Sequence, residues 1–256
     1  MCVGLDPVPE KLPDCLKDNS DSIAVFLERI IESTASYTAA YKPNLAFFEA
    51  LGHEGIEALH RSVAAVRKYA PQAIVIGDGK RNDIGHTAQR YAVAMFDHLD
   101  FDAITVNPYL GWDGICPFAE REDRGIFLLA LTSNPSAEEV QYYKGEAGQL
   151  FLHVARLAQE KWNVYNNLGL VVGATKSDKI ALVREVAPDL PFLLPGIGVQ
   201  GGDLIAVVKL ALGEASPPGL INSSRGIIYA SREEDFAEAA AKQAELLRNQ
   251  IESLKE

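Results

Sequence analysis

Cysteine is scarce in this 256-residue chain, and its usage excludes two ways of stabilising a fold. The three cysteines, Cys2, Cys15 and Cys116, are odd in number and show no C-x-x-C or Cys/His ligand spacing. A disulfide framework or a structural zinc site is therefore not expected, and a reducing cytoplasm fits. No paired histidine or cysteine marks a metal site, and no cofactor motif is present, so we expect neither a metal nor a cofactor.

Basic residues are also in deficit, and long apolar runs are missing. The formal net charge is −11, which argues against nonspecific nucleic-acid binding because such binding depends on basic patches. No run reaches the ~18 apolar residues of a membrane span, and no signal peptide is visible. We expect a cytoplasmic protein without nucleic-acid or membrane partners. Any anionic substrate then needs a locally positive pocket.

Short apolar runs recur along the chain at intervals of roughly 25–40 residues, each rich in β-branched or aromatic residues. Short, continuously apolar runs are typical of buried parallel strands. The eight predicted strands are Cys2–Leu5, Ala40–Phe47, Ala73–Ile76, Ala103–Val106, Ile126–Leu131, Leu168–Val172, Phe192–Leu194 and Gly219–Ile221.

Amphipathic patterns of helical period separate several of these strands. The predicted helices are Ser22–Thr38, Gly55–Tyr69, Leu150–Tyr165, Leu204–Leu212 and Glu233–Leu254. The segment Gly111–Arg124 is irregular because Pro117 and scattered charges interrupt its pattern. Strands that alternate with helices predict right-handed βαβ units around a parallel sheet.

Eight such units in about 250 residues have the dimensions of a (β/α)8 TIM barrel. No linker or low-complexity stretch divides the chain, so we predict an α/β fold with a single domain over residues 1–256. In this architecture the active-site residues belong where strands end, on the C-terminal face. A bound phosphate is expected after the seventh and eighth strands.

A charged segment follows the third predicted strand, in I-V-I-G-D-G-K-R-N-D-I-G over residues 74–85. Side chains two apart on a strand share a face, so Asp78 and Lys80 are predicted to point together into the barrel mouth. Opposite charges at the inner end of a buried strand favour a functional pair over a structural one. Asp83 is a candidate for the same site and also for the cap of the next helix.

Two further charged residues end neighbouring strands. Lys42 lies in Y-K-P-N within the second apolar run. A lysine there needs a partner, and Asp78 on the adjacent strand is the candidate; the alternative is a lysine that reaches solvent. Asp6 ends the first strand in G-L-D-P, either as a turn former or as a member of the same ring. A ring of alternating charge positions charge and shifts pKa values.

A glycine-rich segment follows the seventh predicted strand and reads P-G-I-G-V-Q-G-G-D over residues 195–203. It contains G-x-G-x-x-G, but its late position and the lack of a downstream strand-ending acid argue against a dinucleotide site. Glycine N–H groups at a helix N-terminus favour an anion. Arg225, in I-N-S-S-R-G after the eighth strand, has the fork geometry suited to phosphate. The two segments together predict a phosphate site.

Two segments stay open on the residues alone. T-S-N-P over residues 132–135 is a candidate to supply a hydroxyl or amide to a substrate. The loop from there to Gly148 is either a lid over the mouth or an ordinary surface loop. Asn107, at the end of the fourth strand, is either a turn former or a binding residue.

These motifs resemble the orotidine 5′-phosphate decarboxylase family. Its D-x-K-x-x-D signature stands here as Asp78, Lys80 and Asp83, and its strand-one aspartate and strand-two lysine resemble Asp6 and Lys42. Its P-G-x-G-x-Q-G-G loop resembles residues 195–202, and its closing arginine resembles the arginine of S-S-R-G.

The resemblance covers nearly the whole chain, from residue 4 to about residue 228. The elements Y-K-P-N, V-N-P-Y-L-G and D-G-K-R-N-D-I look like a longer bacterial subfamily, as in mycobacteria and relatives. Many relatives differ after the strand-two lysine, so contacts from Pro43 to Phe48 are not carried over.

The resemblance implies a cofactor-free decarboxylation of orotidine 5′-monophosphate to uridine 5′-monophosphate. Lys80 would donate a proton to carbon 6 of the pyrimidine, and Asp78 would lie beside the departing carboxylate. Lys42 would hold Asp78 and the ribose. Because no cofactor offers an electron sink, the protein itself would have to stabilise the carbanion by preorganised charge.

The resemblance also implies a homodimer with shared sites, in which Asp83, Ile84 and Thr87 would serve the neighbouring subunit. Ser133 and Gln200 would bridge the pyrimidine and the phosphate lid. The other implied substrate-binding residues are Asp6, Asn107, Pro195, Gly201, Gly202, Ser224 and Arg225.

Two other functions remain open. The hexulose-phosphate synthase or keto-gulonate-phosphate decarboxylase class shares the barrel and D-x-K-x-x-D, uses magnesium, and places an acid where Lys42 stands. A noncatalytic barrel that binds a phosphate ligand is the other alternative, since fold analogy alone does not separate the three.

Overall fold

Eight parallel strands close into a barrel in a computed structural model that describes residues 1–17, 21–175, 177–196, 204–213 and 217–254. The strands follow one another around the barrel in chain order, and the last pairs with the first. They are β1 (Cys2–Leu5), β2 (Ala40–Pro43), β3 (Ile74–Arg81), β4 (Ala103–Val106), β5 (Gly125–Leu131), β6 (Leu168–Val172), β7 (Phe192–Pro195) and β8 (Gly219–Ser223). The predicted (β/α)8 barrel is confirmed.

Helices surround the barrel and connect its strands. In the described part of the chain the α-helices are α1 (Ser22–Thr34), α2 (Leu45–Glu49), α3 (Gly52–Tyr69), α4 (Gly85–Ala92), α5 (Trp112–Ala119), α6 (Ala137–Val140), α7 (Leu150–Leu157), α8 (Ser177–Val186), α9 (Leu204–Ala211), α10 (Arg225–Ile228) and α11 (Phe236–Ser253). π-Helical turns over Val93–His98 and Ala158–Trp162 extend α4 and α7. None of the described helices is long and apolar enough to cross a membrane.

Several predicted boundaries are wrong. The second strand ends at Pro43 rather than Phe47, and residues 45–49 form α2 instead. The third strand runs on to Arg81, because the barrel mouth supplies partners for charged side chains that hydropathy alone assigns to a loop. The helix after it begins at Gly85 with Ile84 at the cap position, so Asp83 is not its N-cap.

Alternation along the strands divides the core into two layers. Inside the barrel lies a small cluster made of Cys2, Ala40, Ile76, Ala103, Phe127, Val171 and Leu193. The alternate strand residues, such as Ile104 and Val106 of β4, belong to the larger core between barrel and helices. The inner cluster fills the barrel interior, so the polar side chains at the barrel mouth lie directly above an apolar layer.

One close packing contact tests this layering. A Cβ added at Gly77 of β3 would lie 2.3 Å from Cδ2 of the buried Phe101. We expect Gly77→Ala to lower the free energy of unfolding by about 1–3 kcal/mol, the usual cost of overpacking a core. Urea unfolding at pH 7 measures it. Gly145→Ala is the control, because no atom lies within 4 Å of the added Cβ; equal midpoints for the two variants would contradict the prediction.

Candidate active site

A cavity of about 550 Å³ opens at the C-terminal end of the barrel. Its volume lies in the range of small-molecule sites. Every barrel strand, or the segment directly after it, contributes to the lining. The lining residues are Asp6, Lys42, Asn44, Asp78, Lys80, Thr105, Leu129, Thr132, Ser133, Asn134, Gln141, Val171, Leu193, Pro195, Gly196, Asn222, Ser223, Ser224, Arg225 and Gly226.

A carboxylate shared by two lysines stands at the centre of this cavity. Lys42 Nζ of β2 donates to Asp78 Oδ2 of β3 at 2.7 Å, and Lys80 Nζ donates to Asp78 Oδ1 at 2.7 Å. Lys42 and Asp78 are 4% and 8% exposed, whereas the Lys80 side chain is 49% exposed. The inner lysine is therefore committed to the carboxylate, and the outer one faces the space where a ligand enters.

The backbone of β3 is irregular where it carries this pair. Gly77 pairs with Ile104 and Arg81 with Val106, so the register of β3 shifts against β4 between these two contacts. Lys80 lies within the shift and has a φ of +46°, which is uncommon for a residue with a side chain. Strained backbone of this kind clusters at active sites. Thr105 Oγ1 of β4 accepts the Lys80 N–H at 3.0 Å and donates to Asp78 Oδ1 at 2.9 Å.

The two lysines decide the protonation of the buried groups. Burial by itself raises the pKa of Asp78, but the charges of Lys42 and Lys80 outweigh burial and hold the pKa well below its usual range. Burial lowers the pKa of Lys42, and the charges of Asp78 and Asp6 more than reverse that effect, so the net shift is upward. Both groups stay ionised at neutral pH.

Asp6 follows β1 and lines the cavity with one oxygen that is buried and unpaired. Oδ1 accepts no hydrogen bond from any described residue. The segment that carries it is pinned by Tyr229, which accepts the Val8 N–H at 2.6 Å and donates to the Asp6 carbonyl at 3.1 Å. Burial raises the pKa of Tyr229 to about 12, so its hydroxyl remains a donor. Asp6 Oδ1 is therefore available to accept a hydrogen bond from a ligand.

The expected phosphate side of the site is described in part. Pro195 at the end of β7 and Ser224 and Arg225 after β8 line the cavity, and Arg225 is exposed. Gln200, Gly201 and Gly202 lie outside the described residues.

The segment after β5 reaches the same cavity. Ser133 lines it between Thr132 and Asn134. Gln141, further along the loop toward Gly148, donates from Nε2 to Thr132 Oγ1 at 2.7 Å and accepts the Thr132 N–H at 2.9 Å. Because Gln141 also lines the cavity, this part of the loop belongs to the wall of the site.

Four predicted residues do not line the cavity of this chain. Asp83 accepts the N–H of the next residue through Oδ1 at 2.8 Å, Ile84 is 55% exposed, and Thr87 is exposed on α4. Asn107 accepts the Tyr109 N–H at 3.0 Å, which is the turn-forming arrangement that the sequence analysis left open.

Several lining residues were not among the predicted site residues, including the polar Asn44, Thr105, Gln141 and Asn222. Thr105 and Asn222 carried a signal, since each is a polar residue at an inward-facing strand position. Asn44 and Gln141 carried none, because they lie in a turn and a loop whose placement depends on the rest of the barrel. Among the described residues, no cluster of three or more His, Cys, Asp or Glu side chains is placed to hold a metal ion.

The shared carboxylate makes stability depend on pH with a definite sign. A depressed pKa means that ionised Asp78 stabilises the fold above the unfolded-chain value of about 4 and that this stabilisation fades as the pH falls below it. We expect Asp78→Asn to cost about 3–5 kcal/mol at pH 7, because it leaves buried Lys42 without its nearest partner. The difference in the free energy of unfolding between wild type and Asp78→Asn, measured by urea unfolding, should become smaller as the pH falls from 5 to 2.

Asp14→Asn is the matched control for that experiment. Asp14 pairs with Lys17 in solvent, where screening makes the pair weak, so its midpoint at pH 7 should stay near wild type. A constant difference between wild type and Asp78→Asn across the pH range would contradict the assigned ionisation.

Comparison with known proteins identifies the family of this site. The family model described as "Orotidine 5'-phosphate decarboxylase / HUMPS family" matches residues 1–242. An orotidine 5′-phosphate decarboxylase of Variovorax paradoxus (strain S110) is 46% identical over 259 residues, covering 100% of this chain and 93% of the relative. The solved structure of Leishmania donovani OMP decarboxylase is 38% identical with a TM-score of 0.82, covering 97% of this chain and 93% of that one.

A second solved structure matches over part of its length. Leishmania donovani UMP synthase is 40% identical with a TM-score of 0.84, and the match covers 96% of this chain but 53% of that one. This chain therefore spans about half of the synthase chain. Because the family model matches residues 1–242 and the Variovorax relative matches over nearly its full length, the chain belongs to the orotidine 5′-phosphate decarboxylase / HUMPS family.

Proposed function

We propose that this chain converts orotidine 5′-monophosphate (OMP) to uridine 5′-monophosphate (UMP), a step of de novo pyrimidine synthesis, with Lys80 as the proton donor. The observation that carries the proposal is the Lys42–Asp78–Lys80 array, with both ammonium groups 2.7 Å from one carboxylate at the barrel mouth.

The cavity offers a matching partner for each part of a nucleotide. Leu129, Val171 and Leu193 line it with apolar surface suited to a pyrimidine ring. The unpaired Oδ1 of Asp6 is placed to accept from a ribose hydroxyl, and Lys42 lies on the same side. Arg225, exposed after β8, is placed to receive the phosphate, and the family resemblance assigns Gln200, Gly201 and Gly202 to the same phosphate.

The proposed reaction places the substrate carboxylate beside Asp78. Repulsion between the two carboxylates raises the free energy of the bound substrate, and the departure of carbon dioxide relieves that repulsion. The bond from carbon 6 to the carboxylate breaks, and its electron pair stays on carbon 6. The Lys80 ammonium stabilises that pair and then transfers a proton to it, which yields UMP and a neutral amine that solvent reprotonates.

The phosphate serves the same reaction from a distance. Contacts to a part of the substrate that does not react supply binding energy, and that energy holds the closed, ordered site in which the charges are fixed. In this proposal Ser133, next to the Thr132 that Gln141 holds, and Gln200 bridge the pyrimidine and the phosphate.

We also propose a homodimer in which Asp83 and Thr87 complete the neighbouring subunit's site. This is supported by the position of Asp83, Ile84 and Thr87 outside their own cavity. Apolar side chains are exposed beside them, since Ile84 is 55%, Tyr109 80% and Leu110 44% exposed. An exposed apolar group of this kind, rimmed by polar residues, is typical of a protein–protein interface.

A cytoplasmic location is proposed on the state of the cysteines. Cys2, Cys15 and Cys116 are all free thiols, and unpaired cysteines fit a reducing compartment.

The alternative function is that of the magnesium-dependent sister class, because the matching family model includes both classes. A buried lysine at position 42, paired with Asp78, favours the cofactor-free decarboxylase, because the magnesium-dependent class has an acidic residue at this position. A strong chelator separates the two, since a magnesium-dependent enzyme loses activity in its presence.

Lys80→Ala tests the proposed proton donor. We expect turnover of OMP to fall by at least about 10³-fold, because the variant loses both the stabilising charge and the proton. Loss of the orotate absorbance, followed with and without a strong chelator, measures it. Lys242→Ala, on the exposed side of α11, is the control and should match wild type. Near-wild-type turnover in Lys80→Ala, or chelator-sensitive wild-type activity, would refute the proposal.

Mixing two inactive variants tests the shared site. In a heterodimer of Lys80→Ala and Asp83→Ala, one site carries both changes and the other carries neither. Random assortment should therefore restore about one quarter of wild-type activity. If Asp83 acted in its own subunit, each site would carry one change and the mixture would stay inactive.

A further inference from the structure

We infer that Thr105 is a positioning residue for the reaction, whose single hydroxyl sets both the backbone of Lys80 and the orientation of Asp78. The inference rests on the proposed function and names a residue outside the D-x-K-x-x-D signature. It starts from the irregular pairing of β3 with β4.

The register shift leaves β3 without regular backbone pairing on its β4 side, where Lys80 lies, although Asp78 still bridges to Asn44 on the β2 side. Between the pairs Gly77↔Ile104 and Arg81↔Val106, three residues of β3 face the single residue Thr105 of β4. The Lys80 N–H in this stretch donates to Thr105 Oγ1 at 3.0 Å. A side-chain hydroxyl thus takes the place of a ladder carbonyl and holds the backbone at a φ of +46°.

The same oxygen acts on the shared carboxylate. A hydroxyl has one proton to donate and lone pairs to accept. Since Oγ1 accepts from the Lys80 N–H, its proton is directed to Asp78 Oδ1 at 2.9 Å. That carboxylate oxygen also receives the Lys80 ammonium, so Oδ2 is left to face Lys42. The hydroxyl thereby allots one carboxylate oxygen to each lysine.

The position of Thr105 makes this role rigid. The residue is 2% exposed and lies in the middle of β4, with Ile104 and Val106 packed in the outer core on either side. A β-branched side chain in a strand has restricted rotation. The hydroxyl is therefore fixed before substrate binds, as positioning requires.

Replacing Thr105 tests the inference by separating kcat from KM. Thr105→Val keeps the shape and removes the hydroxyl. We expect kcat to fall about 10- to 100-fold, because a small misplacement of the reacting group carries a penalty of that order. KM for OMP and the affinity for UMP in calorimetry should stay near wild type, since neither depends on the proton transfer. Thr105→Ser, which keeps the hydroxyl, should retain most of the wild-type kcat.

Thr34→Val is the matched control for loss of a buried threonine hydroxyl. Thr34 is fully buried, and its Oγ1 contacts the Ile30 carbonyl at 2.7 Å and the Tyr41 hydroxyl at 2.8 Å. It should lose stability in urea but keep kcat. If Thr105→Val does not fold, the comparison of Thr105→Ser with Thr105→Ala carries the test, because both lack the methyl group and only one keeps the oxygen.

The outcomes distinguish this inference from the function on which it rests. A wild-type kcat in Thr105→Val or Thr105→Ala, alongside an inactive Lys80→Ala, would overturn the positioning role and leave the decarboxylase intact. A wild-type chain that does not consume OMP would overturn the proposed function, and the role of Thr105 would fall with it. A low kcat in the valine variant with rescue by serine supports the inference.

Discussion

The site depends on one buried carboxylate that two lysines share. Asp78 is nearly enclosed, and a charge in such a place is tolerated only when it is paired and hydrogen-bonded. Lys42, Lys80 and Thr105 meet that requirement from three neighbouring strands. Removing any of them leaves the others with an uncompensated charge or an unsatisfied polar group. The charge array therefore contributes to the stability of the fold as well as to the chemistry of the site.

The barrel explains how such an array is assembled. Parallel strands end at one rim, so a residue at the end of each strand meets the others without any long-range design of loops. The apolar plug of Cys2, Ala103, Phe127 and their neighbours closes the barrel below. This floor keeps the mouth at a defined depth and lowers the dielectric around the charges, which strengthens their mutual interaction. The net charge of −11 makes the local cations more important for an anionic substrate.

Different parts of the molecule were predictable to different degrees. Short apolar strands that alternate with amphipathic helices were enough to predict the barrel, because each βα unit buries its strand in the same way. Strand ends were poorly predicted where charged residues continue a strand, as in β3 to Arg81. The side chains of Asp78 and Lys80 were predicted to share a face, and they meet. Gln141 was beyond prediction, because its place on the cavity wall follows from the folding back of a loop.

The sequence by itself determined which residues carry charge and in which strand each one lies, since both follow from composition and from a period of two along a strand. The tertiary structure alone decided how those charges are shared. The register shift between β3 and β4, the left-handed backbone at Lys80 and the double use of the Thr105 hydroxyl all arise between strands that are distant in sequence. Hydropathy patterns report burial along one segment, whereas a hydrogen bond from β4 to β3 depends on a register that only the closed barrel sets.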